Sequence, residues 1–217
     1  MLSTVKLCGV TRTTDALDAL AQGVAYIGVN RWPQSPRFVS DANLKALLDV
    51  IPAGRRVFVD VEPDTGKLKN AIDAGFDFFQ IHFASDSPDA RARAAAWEAQ
   101  TGKHRLWLAP RVAPHTPWPR WVFEHADTLL CDGFHAGKFG GTGLAADWSL
   151  FASLKNERPD KRWILAGGLS PTTLAEAAHS GADFFDLNSG VEDAPGVKNA
   201  EKLAQALAAL LNFEQNR

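Results

Sequence analysis

The sequence predicts an α/β fold, a single (β/α)8 or TIM barrel over residues 1–217, and three observations predict it. Short apolar runs alternate with amphipathic stretches, and there are eight of them at about 27 residues per unit, the number at which a parallel sheet closes on itself. No Ser/Pro/Gly-rich linker or block of like charge breaks the series, which predicts one domain. The turn after the first run reads Gly9-Val10-Thr11-Arg12, without the Gly-x-Gly-x-x-Gly that the alternative, an open doubly wound sheet, should carry there.

The predicted strands are Val5–Gly9, Tyr26–Asn30, Arg56–Asp60, Phe78–His82, Arg105–Ala109, Thr128–Asp132, Trp163–Ala166 and Phe184–Asn188. Helices between them carry start signals. Ser40 stands as a cap before Leu44, Leu47, Leu48 and Ile51, which fall at i, i+3, i+4 and i+7. Ser170 precedes Pro171, a first-turn proline, ahead of Leu174, Ala177 and Ala178. Leu203, Leu207, Leu210 and Leu211 form one stripe of the last helix. Around Pro114, Pro117 and Pro119 only a short helix fits, near Trp121–Glu124. The seven tryptophans read as core or helix-layer packing.

Composition excludes several classes. With 46% hydrophobic residues the chain has ample apolar material to offset chain entropy. Its 23 basic and 25 acidic side chains leave a formal net charge of −2, without the basic excess of a nucleic-acid binder. No apolar run reaches the length of a membrane span. Met1-Leu2-Ser3-Thr4-Val5-Lys6 lacks the features of a signal peptide. Two cysteines, Cys8 and Cys131, are too few for a disulfide scaffold and point to a reducing compartment. A soluble, cytoplasmic protein without membrane or nucleic-acid partners is predicted, and the oligomeric state, monomer or dimer, is left open.

In such a barrel the active site forms at the carboxyl ends of the strands. Strand alternation places Lys6 with Cys8, Gln80 with His82, Leu130 with Asp132 and Asp186 with Asn188 on the inward side. Cys131 then faces the helix layer as a small buried hydrophobe. Cys8, at the rim, can serve as packing, nucleophile or proton-transfer base; metal binding is disfavoured because no second cysteine or His-x-His accompanies it. Asp132, an inward carboxylate beside a glycine, reads as functional. His82 suits a base or a hydrogen-bonded filler. Lys6 and Asp186 read as a structural ion pair across the barrel floor, or a setter of local field. Gly140-Gly141-Thr142-Gly143, Gly167-Gly168 and Ser189-Gly190 fall after strands six, seven and eight, where backbone N–H groups commonly take a phosphate. Arg37 sits on the loop after strand two, where an arginine could grip a carboxylate.

Seven segments standing in order now carry a resemblance: Lys6-Leu7-Cys8-Gly9, Ser35-Pro36-Arg37-Phe38-Val39, Leu129-Leu130-Cys131-Asp132, Gly140-Gly141-Thr142-Gly143, Asp147-Trp148, Leu165-Ala166-Gly167-Gly168-Leu169 and Asn188-Ser189-Gly190-Val191-Glu192. Over nearly the whole chain the sequence resembles phosphoribosylanthranilate isomerase of tryptophan biosynthesis, a (β/α)8 enzyme that catalyses an Amadori rearrangement without metal or organic cofactor. The resemblance implies that Asp132 is the general acid that opens the ribose ring, and Cys8 the general base at the neighbouring carbon. It also implies that Arg37 holds the anthranilate carboxylate, while Gly141, Gly143, Gly167, Gly168, Ser189 and Gly190 surround the phosphate and His82 joins the substrate site. The chain departs from the family in Val29-Asn30-Arg31-Trp32, where apolar or aromatic residues are commoner. Phe83 replaces a usual glycine and is expected to fill space near the anthranilate. Asp60 replaces a frequent asparagine and is expected to add negative charge near the anionic substrate. Two competing readings remain, a Schiff-base aldolase or related phosphosugar enzyme, and a non-catalytic phosphosugar-binding paralogue. The first lacks an inward lysine at a strand end, and retention of both Cys8 and Asp132 argues against the second.

Overall fold

Alternation along short strands gives this molecule two cores, one inside a barrel and one between the barrel and its helices. The computed structural model describes residues 3–113, 116–133 and 147–216. Its strands are β1 (Thr4–Leu7), β2 (Tyr26–Asn30), β3 (Arg56–Val61), β4 (Phe78–Ala84), β5 (Leu106–Arg111), β6 (Thr128–Cys131), β7 (Arg162–Ala166) and β8 (Phe184–Leu187). They pair in sequence order and β8 returns to β1, closing a parallel barrel. Eight strands were predicted and the same eight runs form them. The bounds differ by a few residues; β1 stops at Leu7 because Gly9 turns the chain with φ +67. The Cys8 N–H nevertheless donates to the Leu187 carbonyl at 2.8 Å, so Cys8 is held as firmly as a strand residue.

The helices are α1 (Thr13–Ala21), α2 (Asp41–Val50), α3 (Thr65–Asp73), α4 (Ala90–Thr101), α5 (Val122–His125), α6 (Trp148–Glu157), α7 (Leu174–Ala177) and α8 (Ala200–Gln215). Side-chain caps on Asp64, Asp147 and Asn199 start α3, α6 and α8 by taking otherwise orphaned N–H groups. Ser40 occupies the expected cap position of α2, although its hydroxyl makes no capping bond. The helix after Ser170 is shorter than predicted: residues 171–173 turn first, and the Leu174 N–H donates to the Ser170 carbonyl at 3.0 Å. In α8 the buried stripe is Leu203, Ala206 and Leu210, whereas Leu211, expected on that face, is exposed. Among the described residues no helix is long and apolar enough to cross a membrane.

Inside the barrel the amino-terminal end is closed by aromatic rings. Tyr26 meets Phe78 and Trp107 edge-on at 5.3 and 5.2 Å, Phe78 stacks on Trp107 at 4.9 Å, and Phe184 meets Trp107 at 5.5 Å. The Arg162 guanidinium covers Phe184 and Tyr26 from below, 4.4 and 5.6 Å from their centroids. Trp107 thus packs the barrel floor, while Trp97 and Trp163 pack in the outer layer. One addition follows β8: an antiparallel hairpin of β9 (Glu192–Ala194) and β10 (Val197–Lys198) folds back over the start of α1. The Thr11 hydroxyl donates to Gly196 O at 2.6 Å, and the Lys198 N–H to Asp15 at 3.1 Å.

Candidate active site

Above the aromatic floor the inward positions turn polar. Lys6 is fully buried and donates two hydrogen bonds to Asp186, at 2.7 and 2.8 Å. The sequence suggested a pair across the barrel floor; instead the two residues lie in register on adjacent strands, β1 and β8. Burial alone would lower the Lys6 pKa, but Asp186 and Cys8 more than offset this and the ammonium is held charged. A lysine so held lacks the free amine that Schiff-base chemistry needs, which counts further against the aldolase reading.

Two residues beyond Lys6, on the same inward face, Cys8 is buried beside this ion pair. Burial and the Asp186 charge raise its pKa, while Lys6, which hydrogen-bonds the sulfur, and Lys198 act in the opposite direction. The resting group is a thiol with two cations placed to favour its thiolate. Asp132 stands at the carboxyl end of β6, and its side chain accepts the Gly133 N–H at 2.8 Å. Burial and the negative Asp186 push its carboxyl up to about 7, against weaker opposing effects of that hydrogen bond and of Lys6. Cys8 and Asp132 therefore share the same buried ion pair as their electrostatic neighbour. Cys131 faces the outer core, as expected, and burial pushes it up to about 12.

His82 points inward at the end of β4, with Nε2 at 3.0 Å from the Gln80 amide nitrogen. That nitrogen can only donate, so in this assignment His82 Nε2 accepts and Nδ1 carries the proton. Burial and Lys6 lower its pKa to about 4, leaving a neutral ring at physiological pH.

The glycine turns at β7 and β8 meet each other. Gly167 and Gly168 have φ +86 and +66, and a Cβ on Gly190 would lie 2.0 Å from the Leu169 carbonyl oxygen, so only glycine lets the two loops touch. Residues 189–191 form a single 3₁₀ turn whose first bond runs from the Val191 N–H to the Asn188 carbonyl. That bond leaves the Ser189 and Gly190 N–H groups over. Gly141 and Gly143 lie outside the described residues.

Arg37 departs most from the sequence reading. Rather than an open rim arginine, it is buried with Glu192: Nε donates to Oε1 at 2.9 Å and Nη2 to Oε2 at 2.6 Å. Glu192 also accepts Lys198 Nζ at 2.7 Å, and Lys198 in turn donates to Asn188 Oδ1 at 2.9 Å. Glu192 and Lys198 were not singled out from sequence. The available signal was Arg37 itself, because an arginine buried in a barrel mouth requires a carboxylate partner.

Two expectations fail for a shared reason. Asp60 faces the helix layer, ion-paired to Lys67 of α3 at 2.5 Å, and so adds no charge to the site. Phe83 is fully buried in that outer layer against Trp97 and Trp121. Val59 and His82, their neighbours, take the inward positions, and alternation sends Asp60 and Phe83 outward. Asn30 is at the mouth, its carboxamide oxygen accepting the Trp32 N–H at 2.9 Å. Among the described residues no cluster of three or more His, Cys, Asp or Glu is arranged to hold a metal ion.

Against known proteins, the family model for N-(5'phosphoribosyl)anthranilate (PRA) isomerase matches residues 5–209. An N-(5'-phosphoribosyl)anthranilate isomerase of Desulfovibrio desulfuricans is 37% identical over 216 residues, with 98% of each chain covered. That of Zymomonas mobilis subsp. mobilis is 33% identical over 213 residues, covering 94% of this chain and 96% of its own. The crystal structure of phosphoribosyl anthranilate isomerase from Thermus thermophilus matches with a TM-score of 0.78 at 28% identity, over 97% of this chain and 99% of that one.

Proposed function

The chain belongs to the N-(5'-phosphoribosyl)anthranilate isomerase family, enzymes of tryptophan biosynthesis, and from that premise we propose how its own residues perform the rearrangement. The substrate is N-(5-phosphoribosyl)anthranilate and the product 1-(2-carboxyphenylamino)-1-deoxyribulose 5-phosphate. Asp132 is the general acid and Cys8 the general base. Asp132 gives its proton to the ribose ring oxygen as the bond from that oxygen to C1 breaks, and the nitrogen lone pair forms the C1=N iminium. Cys8, as thiolate, then removes the proton on C2. The electron pair moves through C1–C2 to nitrogen, and the resulting enol becomes the C2 ketone as its O2 hydroxyl loses a proton and C1 gains one. C1 is reduced and C2 oxidised within one molecule, so no external redox partner enters.

One observation carries this assignment: a carboxyl pushed up to about 7 at an inward strand end, above an ion pair that also adjoins a thiol. A general acid works best with a pKa near the operating pH, and an ordinary aspartate would be almost wholly ionised there. Substrate clamps are assigned on the same basis. The Ser189 and Gly190 N–H groups, with the glycine turn at Gly167 and Gly168, hold the phosphate; Gly141 and Gly143 are assigned to it by resemblance alone. Neutral His82 offers its Nδ1–H to the sugar or the amine. Arg37 keeps three of its five N–H donors outside the pair of bonds to Glu192, enough to meet the anthranilate carboxylate.

The test is a fluorescence assay of phosphoribosylanthranilate turnover. Cys8→Ala and Asp132→Asn should each fold and bind the product, yet turn over at least about a hundredfold more slowly, the loss expected for a general acid or base. Undiminished turnover by Cys8→Ala removes it as the base. Arg37→Ala should weaken carboxylated ligands selectively; equal weakening of a ligand without the carboxylate removes that role.

A further inference from the structure

The hairpin of β9 and β10 has no part in closing the barrel, yet it delivers two charged and buried side chains, Glu192 and Lys198, into the mouth. Each atom of the Glu192 carboxylate is engaged. Oε1 accepts from Arg37 Nε, Lys198 Nζ and the Gly196 N–H, at 2.9, 2.7 and 3.1 Å. Oε2 accepts from Arg37 Nη2 at 2.6 Å and, more weakly, Nε at 3.2 Å. Its backbone is fastened too, because the Glu192 carbonyl takes Lys202 Nζ of α8 at 2.7 Å. A carboxylate held at this many points cannot swing, so it sets the plane of the guanidinium it binds.

Arg37 is confined from the other side as well. A Cβ on Gly9 would stand 2.4 Å from Arg37 Cδ and 2.9 Å from Asn188 Oδ1, so the stem of Arg37 lies directly on the backbone next to Cys8. Lys198, after bonding Glu192, reaches Asn188 Oδ1 and O at 2.9 and 3.3 Å. Asn188 immediately precedes the turn of Ser189 and Gly190. One run of hydrogen bonds, Arg37 to Glu192 to Lys198 to Asn188, thus ties the loop after β2 to the loop after β8.

We propose that Glu192 is a positioning residue: it holds Arg37 by its Nε/Nη2 edge so that the Nη1 side is presented to the substrate carboxylate, and Lys198 locks Glu192 in that pose. Resting on the carboxylate role proposed for Arg37, this assigns the hairpin to selecting an N-aryl group that bears an ortho carboxylate. A free arginine would meet a carboxylate in many orientations, whereas one already held by its side edge loses less freedom on binding. Glu192 touches no substrate atom and acts only through Arg37.

The experiment is a binding comparison on the full-length chain with two probes: the product, 1-(2-carboxyphenylamino)-1-deoxyribulose 5-phosphate, and its counterpart with a plain phenylamino group. Titrations use the wild type, Glu192→Gln, Arg37→Ala and the double variant. Glu192→Gln should weaken the carboxylated probe at least about tenfold and the plain probe by less than about twofold, a change in the ratio that general loosening of the fold would not produce. In the Arg37→Ala background the same substitution should change neither affinity further, because a residue acting through Arg37 has nothing left to position. Glu192→Gln/Lys198→Met removes one charge of each sign and repeats the comparison where the single variant does not fold; it should show the same ratio change. Equal weakening of both probes, or additive effects of Arg37→Ala and Glu192→Gln, overturns the positioning role while leaving the carboxylate role of Arg37 standing. Unchanged discrimination in Arg37→Ala itself overturns both.

Discussion

The two ends of the barrel interior are built from the same strands and follow opposite rules. At the floor, Tyr26, Phe78, Trp107 and Phe184 exclude water and leave one charge, Arg162, spread over two ring faces. At the rim, burial shifts Cys8, His82 and Asp132 from their ordinary behaviour, whereas Arg37 is raised by its hydrogen bonds to Glu192 against the effect of burial. Between them the Lys6–Asp186 pair is the boundary, a buried pair that stabilises neither region by itself but sets the field in which the rim groups titrate. The floor is packed with aromatic rings and the rim holds titratable groups, so different substitutions disturb them.

The largest disturbance is expected at the boundary. Lys6→Met leaves Asp186 buried and uncompensated and should lower unfolding free energy by about 3–5 kcal/mol, read by denaturant titration, while Lys6→Met/Asp186→Leu recovers most of the loss. A double variant no better than the single would mean that the pair, rather than the orphaned charge, carries the stability. Trp107→Ala should cost about 3–5 kcal/mol through the cavity it opens, with turnover per folded molecule close to that of the wild type. A Trp107→Ala protein that folds normally but fails to turn over would erase the division of labour between the ends.

A smaller effect concerns the shape of the pH–rate profile. In the proposed mechanism the competent form has Asp132 protonated, with a pKa of about 7, and Cys8 ionised, with a pKa raised above the usual thiol value. Because the acid has the lower pKa, below about pH 7 each unit of pH raises the thiolate fraction about tenfold. Above it the loss of protonated Asp132 cancels that gain. The profile of kcat/KM should therefore climb to about pH 7 and then run level until Cys8 itself ionises. A profile that keeps climbing past pH 8 would show that Asp132 has no part as an acid, and one already level below pH 6 that its pKa is ordinary.

The smallest effect is a gain in stability at the rim. The folded-state pKa of Asp132, about 7, lies above that of an unfolded aspartate, about 3.9. The folded chain thus binds the extra proton between those values, and its stability falls as pH rises through the window. Asp132→Asn removes this penalty and should unfold later than the wild type at pH 8, by on the order of 1–2 kcal/mol, with the advantage gone at pH 4. His82 has the opposite sign: its folded pKa, about 4, lies below the unfolded value, so its contribution is present above about pH 6.5 and is lost as pH falls toward 4.

Much of this was legible along the chain. All eight strands were found because a strand buried on both faces leaves a run of β-branched and aromatic residues that helices do not share. Cys8, His82, Asp132 and Asn188 were placed at the mouth by counting alternate residues up from strands already located. Asp60 and Phe83 were misjudged where that count was not applied: Val57 and Val59 already took the inward face of β3, and Gln80 and His82 that of β4. Glu192 and Lys198 were passed over for a different reason, since the hairpin that carries them belongs to no repeating unit of the barrel and its contacts with Arg37 span 155 residues.

Sequence alone thus determined the barrel, its number of strands and the places of Cys8, His82, Asp132 and Asn188 at its rim, because hydrophobic periodicity is local and alternation follows from backbone geometry. Only the tertiary structure decided which charges meet. Whether Arg37 stands open or is clasped by Glu192, and whether Asp132 holds its proton at neutral pH, depends on how far water is excluded and on which distant groups close the space. Those are properties of packed distances, to which position along a chain is a poor guide.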